Sequence, residues 1–189
     1  MNYLIQNEHA WVLVACLAVV VGLALITWQY LRRTSEARRL RRVLRSIASE
    51  SQSDLVIPDG MDGHIQIQHI LLTAHGILVM DLKQVRGSIF AGEKLEEWTA
   101  MDGNERFRFV NPLAALRART AAVRALVRDV PVYGRVVFVG DAEFVRGRPE
   151  QAVTLDELES EFADTALKDT ASISAFHASW EQIQLVSLS

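Results

Sequence analysis

The sequence has a single cysteine, Cys16, and its histidines and glycines are scattered. One cysteine excludes an intramolecular disulfide and a zinc site built on several thiolates. Four histidines have neither zinc-ligand spacing nor cysteine partners, namely His64, His69, His75 and His177. His69 alternates with apolar residues, which is typical of a hydrogen-bonded structural histidine. The dispersed glycines form no phosphate-binding loop, and the chain has no repeats or low-complexity segments.

Charge is missing from residues 10–28, AWVLVACLAVVVGLALITW. A helix of this length spans about 28 Å, close to the hydrocarbon core of a bilayer at about 30 Å. Trp11, Trp28 and Tyr30 lie near its two ends, where aromatic rings favour the lipid headgroups. We therefore predict a transmembrane helix over residues 10–30.

The flanking charges predict the orientation of this helix. Residues 1–49 carry a net charge of +5, mostly from seven arginines that follow the apolar segment, and the remaining residues carry −8. Because positive flanks stay in the cytoplasm, we predict a single-pass protein of the cytoplasmic (inner) membrane, with residues 1–9 outside and the C-terminal domain in the cytoplasm. A cleavable signal peptide is the alternative, but its positive charge should precede a shorter apolar core. The arginines favour anionic lipid of the bilayer, and the acidic body argues against broad, sequence-independent clamping of nucleic acid.

Residues 31–49 are predicted to form a basic juxtamembrane amphipathic helix. Its apolar stripe contains Leu40, Val43, Leu44 and Ile47. Glu36 falls on the same stripe, so its carboxylate is predicted to face inward and to contribute to a site. The alternative is a first-turn acid that complements the helix dipole.

The rest of the chain alternates between strand and helix patterns. Residues 64–83, HIQIQHILLTAHGILVMDLK, predict a β-hairpin whose second strand is buried. Asn111 and Pro112 predict the start of a helix that runs to about Asp129, and RVVFVG predicts a buried central strand. We predict an α/β sandwich with a mixed sheet, whose core spans residues 50–150 with 36–49 as its first helix. Residues 151–189 are predicted to form a C-terminal helical extension.

Asp81 and Lys83 end the buried strand of the hairpin and are predicted to lie on the same side of it. A carboxylate in this position can hold a hard divalent cation while the ammonium group stabilises a phosphate. The alternative is an ordinary surface ion pair.

The hairpin, together with EEWTA, FVNPL and RVVFVG, resembles the nuclease-related domain (NERD) family over roughly residues 36–145. The resemblance implies a fold similar to restriction-endonuclease-like, metal-dependent nucleases, action on DNA or RNA, and the membrane anchor that is common in bacterial members. Glu36 matches the helix acid of the family, Asp81 its usual glutamate and Lys83 its lysine. The implied chemistry is phosphodiester hydrolysis with Mg²⁺ or Mn²⁺ at Asp81 and Glu36, helped by Gln68, while Lys83 stabilises the phosphate.

Two positions depart from the family pattern. Gln68 stands where the family has a metal-binding aspartate, and Ala115 stands where it has a glutamine. An amide oxygen brings no charge, and oxygen sites bind metal according to how many charged ligands they have. Two hypotheses follow: a membrane-anchored nuclease of weak or lost activity, or a non-catalytic pseudoenzyme that binds nucleic acid or a protein at the membrane.

Five arginines are candidates for a phosphate-binding face, namely Arg106, Arg108, Arg117, Arg124 and Arg128. The last three lie in one helical row. The alternative is a solvated helix edge whose arginines pair with acids.

Overall fold

The computed structural model describes residues 2–163 and 170–187. The chain forms two compact units that divide between Arg39 and Leu40. It has four helices among these residues: α1 (Asn2–Ile47), α2 (Leu113–Leu126), α3 (Leu155–Ala163) and α4 (Thr170–Ser187). The described strands are β1 (Glu50–Pro58), β2 (His64–Thr73), β3 (Gly76–Gln84), β4 (Gly87–Phe90), β5 (Glu97–Asp102), β6 (Glu105–Val110), β7 (Val132–Val139), β8 (Ala142–Arg146) and β9 (Ala152–Thr154).

The strands form two mixed sheets rather than the single mixed sheet that the sequence predicts. The larger sheet has the order β1-β2-β3-β7-β9. The pairs β1–β2 and β2–β3 are antiparallel, and the pairs β3–β7 and β7–β9 are parallel. The smaller sheet has the order β6-β5-β4-β8, and β4 and β8 are parallel within it. The predicted mixed α/β class is therefore confirmed, and the division of the strands into two sheets is a feature that the prediction did not contain.

The larger sheet is buried on both faces. On one face, α2 and α4 pack with the inner residues of the smaller sheet around β3 and β7. On the other face, the last turns of α1 pack with α3 through Val43, Ile47, Leu158 and Phe162. Burial on both sides explains the nearly continuous apolar runs of β3 and β7, since a strand with one wet face would alternate.

The predicted end of the helix after Asn111 needs a correction. The helix after Asn111 ends at Leu126 rather than near Asp129, because Val127 already has an extended backbone. The start of this helix agrees with the prediction, since Asn111 Oδ1 accepts a hydrogen bond of 3.0 Å from the Leu113 N–H. Residues 151–163 and 170–187 contain β9, α3 and α4, and the other residues of the predicted extension lie outside the described part of the chain.

Residues 10–30 and 31–47 belong to one continuous helix, α1, although the sequence predicts two separate helical segments. Across the residues that the structure describes, we find no helix that combines the length and the apolar character needed to cross a bilayer.

Candidate functional site

The candidate site lies where β2 and β3 separate. The ladder between these strands has its last paired residues at His69 and Met80. Beyond that pair, the side chain of Gln68 replaces the backbone as the hydrogen-bond acceptor, and its Oε1 accepts a hydrogen bond of 2.8 Å from the Leu82 N–H. Gln68 therefore supplies the acceptor that a strand backbone would otherwise supply, and its amide oxygen already has a partner.

Asp81 and Lys83 lie on the face of β3 that is covered by α2. They pair in register with Val136 and Phe138 of β7, two members of the core that contains α2. The side chain of Asp81 is only 4% exposed, whereas Lys83 is half-buried at the end of the strand. The strand thus places a carboxylate inside the protein and an ammonium group at its edge.

Arg119 of α2 makes the closest contact with the Asp81 carboxylate. Its Nη1 lies 2.5 Å from Asp81 Oδ2, and its Nε donates a hydrogen bond of 2.7 Å to the carbonyl oxygen of Gln66 on β2. The Arg119 side chain is 24% exposed, so the ion pair is largely shielded from water. One guanidinium group therefore joins α2, β2 and β3 at the candidate site. We call Gln68, Asp81, Lys83 and Arg119 the Asp81 site.

Burial governs the protonation of Asp81. Loss of water around the carboxyl group raises its pKa above the ordinary value, and the charge and hydrogen bond of Arg119 act in the opposite direction. Lys83 and His69 lower this pKa further, each through its charge. The second carboxylate oxygen, Oδ1, is buried and receives no hydrogen bond from the described residues. The carboxylate accordingly depends on Arg119 for its charge balance.

These residues do not fit a divalent metal ion. Proteins usually hold Mg²⁺ through one or two carboxylates together with waters, and the one carboxylate of this site is already paired with a guanidinium group. Gln68 Oε1 is engaged by the backbone of Leu82, and a cation beside Asp81 would meet the positive charge of Arg119. Among the described residues, no group of three or more His, Cys, Asp or Glu side chains is arranged to hold a metal.

The structure brings together three of the four residues that the sequence predicts for catalysis, namely Gln68, Asp81 and Lys83. Glu36 belongs to α1 in the unit that ends at Arg39, and its predicted role stays a prediction. His69 is half-buried, and its Nδ1 shares a hydrogen bond of 2.8 Å with Ser53 Oγ.

The five candidate arginines for phosphate binding are all exposed. Arg108 of β6 lies 3.8 Å from Glu97, and Arg117 of α2 pairs with Glu93. Arg124 donates a hydrogen bond of 2.7 Å to the carbonyl oxygen of Val132. Arg106 is on β6, and Arg128 lies in the segment between α2 and β7.

Sequence reasoning missed Arg119. The row formed by Arg117, Arg124 and Arg128 drew attention to one flank of α2, and Arg119 lies on the other flank at about 100° per residue. The available signal was its position four residues after Ala115, which is one helical turn from the place where the family has a glutamine. From this position the Arg119 side chain reaches Asp81 near the end of β3.

The described residues thus define a mixed α/β domain with a carboxylate, an amide and a lysine gathered at one strand end. The model of the nuclease-related domain (NERD) matches residues 32–139, more than half of the chain, and the chain belongs to this family. The family resemblance of the sequence is therefore confirmed. Comparison with curated proteins and with solved structures gives no significant match.

Proposed function

We propose that this chain is a nuclease-related domain that binds nucleic acid without hydrolysing phosphodiester bonds. The observation that carries the proposal is the ion pair between Arg119 and Asp81. The acid at the metal-binding position of the family serves here as the counterion of an arginine. Metal-dependent hydrolysis would need a cation at that carboxylate, and the positive charge of Arg119 beside it disfavours a second cation there.

Gln68 supports the same conclusion from the neighbouring strand. Its amide oxygen closes the end of the β2–β3 ladder by accepting the Leu82 N–H. Recruitment of this oxygen to a metal ion would leave a backbone N–H without its partner, which costs about 1–3 kcal/mol when the group is buried. Gln68, one of the two departures from the family pattern, thus has a structural role in this chain.

Binding to nucleic acid is supported by the exposed side chains of β6. Arg106 and Arg108 alternate with Phe107, which is 42% exposed, along the strand at the edge of the smaller sheet. Arginine side chains bind phosphate oxygens, and Arg106 and Arg108 project from the same face of β6, opposite to Phe107, so this face suits the phosphate backbone of a single strand. The acidic composition of residues 50–189 restricts such binding to a local surface.

The binding test uses the full chain in detergent with labelled single-stranded DNA and RNA. We expect salt-dependent binding that Arg106→Gln with Arg108→Gln weakens about tenfold, because two phosphate contacts are lost. The logarithmic salt slope should fall by about one to two units in the same variant. Arg45→Gln removes an exposed arginine from α1 and serves as the matched control, with expected binding close to wild type.

The cleavage test adds Mn²⁺ or Mg²⁺ to the same substrates. We expect wild type to leave them intact, since Arg119 holds the carboxylate. The double variant Gln68→Asp with Arg119→Gln restores a second acid and removes the guanidinium group, and it is the form in which cleavage is expected to reappear. Metal-dependent cleavage by wild type that Lys83→Ala abolishes would refute the proposal of a non-hydrolytic domain.

We also propose that residues 10–30 anchor the chain in the cytoplasmic membrane with the C-terminal domain in the cytoplasm. Support comes from the uncharged residues 10–28 and from the arginines that follow them. In a Cys16→Ala background, a membrane-impermeant thiol reagent applied to intact cells should label Asn2→Cys and leave Ser189→Cys unlabelled. Labelling of Ser189→Cys alone would reverse the proposed orientation, and a chain recovered from the soluble fraction would exclude the anchor.

A further inference from the structure

A cavity of about 300 Å³ lies between α2 and the first half of β7, apart from the Asp81 site. Its polar lining includes Arg117, Thr120 and Arg124 from α2, the Gly134 backbone and Gln151. At about 100° per residue, Arg117 and Arg124 lie on the flank of α2 opposite to Arg119. The same helix thus serves two separate polar regions. We call this space the β7-edge cavity.

The cavity exists because β9 covers only part of β7. The two strands pair from Val136 to Phe138, and the upstream half of β7 extends beyond β9. The Val136 N–H donates a hydrogen bond of 2.8 Å to the Gln151 carbonyl oxygen, which shows that it faces the β9 side. Gly134, two residues earlier in the strand, presents its N–H to the same side. Backbone donors are therefore available along this edge.

Gly134 also allows α2 to approach closely. A Cβ atom at this position would lie 2.5 Å from Thr120 Oγ1 and 3.2 Å from Leu116 Cγ. Because Gly134 has no side chain, its backbone forms the floor of the cavity. A ligand in the cavity can then reach strand N–H groups and helix side chains together.

The charge in the cavity is positive. No aspartate or glutamate is among the described residues that line it. Arg124 donates a hydrogen bond to the carbonyl oxygen of Val132. Because this acceptor is neutral, the bond does not neutralise the positive charge of Arg124. Arg117 pairs with Glu93, and both side chains are more than half exposed, so water screens the pair. Arg135 donates hydrogen bonds from its Nε and Nη2 to the Glu161 carboxylate, which neutralises its charge, so it adds little positive charge to the cavity.

We propose that the β7-edge cavity binds a phosphate monoester, with Arg124 and Arg117 holding the phosphate and the Gly134 N–H completing its hydrogen bonds. A monoester carries close to two negative charges at neutral pH, and the planar guanidinium group binds such an anion through two parallel hydrogen bonds. The volume is at the lower end for ligand cavities, which favours one phosphorylated monomer or chain end over a continuous polymer. A free nucleotide and the 5′ end of a nucleic acid both present this group. Only the second source rests on the proposed nucleic-acid-binding function.

The test measures binding of a nucleoside 5′-monophosphate to the full chain by titration calorimetry, with the unphosphorylated nucleoside as the control ligand. We expect saturable binding of the monophosphate and no binding of the unphosphorylated nucleoside. Arg124→Gln should weaken it about tenfold or more, since a charge-assisted hydrogen bond is lost. Arg117→Gln should weaken it as well, and it touches no buried group, so it stays informative if Arg124→Gln fails to fold. Arg45→Gln removes an exposed arginine from α1, is the matched control and should bind as wild type does.

A second arm compares 5′-phosphorylated and 5′-hydroxyl oligonucleotides of the same sequence. A preference for the phosphorylated end that disappears in Arg124→Gln would support the cavity with a polymer end as its ligand. Equal binding of both ends, combined with no binding of the monophosphate, would overturn the cavity proposal and leave the β6 surface untouched. Equal monophosphate binding by wild type and by both α2 variants would overturn it too. Failure of the proposed function is seen separately, as cleavage by wild type in the presence of metal.

Discussion

Replacement of Arg119 with glutamine is expected to lower the free energy of unfolding by about 3 kcal/mol at pH 7. The variant leaves the Asp81 carboxylate buried without its counterion and removes the bond from Arg119 Nε to the Gln66 carbonyl oxygen. An unpaired buried charge is among the most destabilising changes in a protein interior, because water no longer solvates it. Chemical denaturation of the full chain in detergent, followed by tryptophan fluorescence, measures the loss.

The loss should depend on pH in a definite direction. Burial already raises the pKa of Asp81, and Arg119 is the main group that lowers it again. Without Arg119 the pKa rises further in the folded state, so the folded protein binds a proton more readily than the unfolded chain. Stability from such a group is fully present below the unfolded pKa, about 3.9, and is lost as pH rises through the folded pKa. The variant should therefore be closest to wild type at about pH 4 and furthest from it at neutral pH.

Two further variants separate charge from packing. Asp81→Asn in the Arg119→Gln background removes the buried charge, and it should recover most of the lost stability at pH 7. Arg117→Gln breaks an exposed pair on the same helix and should cost less than about 1 kcal/mol. A loss in Arg119→Gln that is the same at every pH would mean that the arginine acts through packing alone.

The hairpin and its polar end are the part of the structure that the sequence predicts best. Strand alternation is a local property, so Asp81 and Lys83 can be assigned to one side of β3 before any coordinates are known. The identity of the Asp81 counterion is not local. Arg119 is 38 positions away in sequence, and its reach to Asp81 depends on how α2 lies across β2 and β3. Helical spacing alone favours Arg117, Arg124 and Arg128 over Arg119 as candidate site residues.

The parallel pairings of β8 and β9 could not be predicted for a similar reason. β8 has five residues and β9 three, and each is held by parallel pairing with a strand distant in sequence. Such short strands owe their structure to tertiary pairing, and their own sequences contain too few residues for a period to appear. The continuity of α1 could be predicted from the sequence more easily than these strand pairings. No proline or glycine occurs between residues 23 and 47, so the sequence provides no stop between the apolar and the basic segments.

Trp98→Ala is expected to cost about 3–5 kcal/mol in the free energy of unfolding, the largest single loss that the core predicts. Trp98 of β5 is fully buried and connects the two sheets. Its ring stacks on Phe138 of β7 at 6.0 Å between centroids and meets Phe109 of β6 edge-on at 6.1 Å. Its indole N–H also donates a hydrogen bond of 2.9 Å to the Gly92 carbonyl oxygen, so truncation leaves a cavity and removes one of the hydrogen bonds to that oxygen.

Trp98→Phe and Phe107→Ala divide this effect between its causes. The phenylalanine keeps much of the apolar contact and loses the indole N–H, so a loss between that of Trp98→Ala and zero is expected. Phe107 lies in the same sheet but is 42% exposed, and its truncation should cost about 1 kcal/mol or less. Because domains of this size are stable by only about 5–15 kcal/mol, Trp98→Ala removes a large share of the total. Equal losses in Trp98→Ala and Phe107→Ala would mean that the packing of the two sheets does not depend on this aromatic contact.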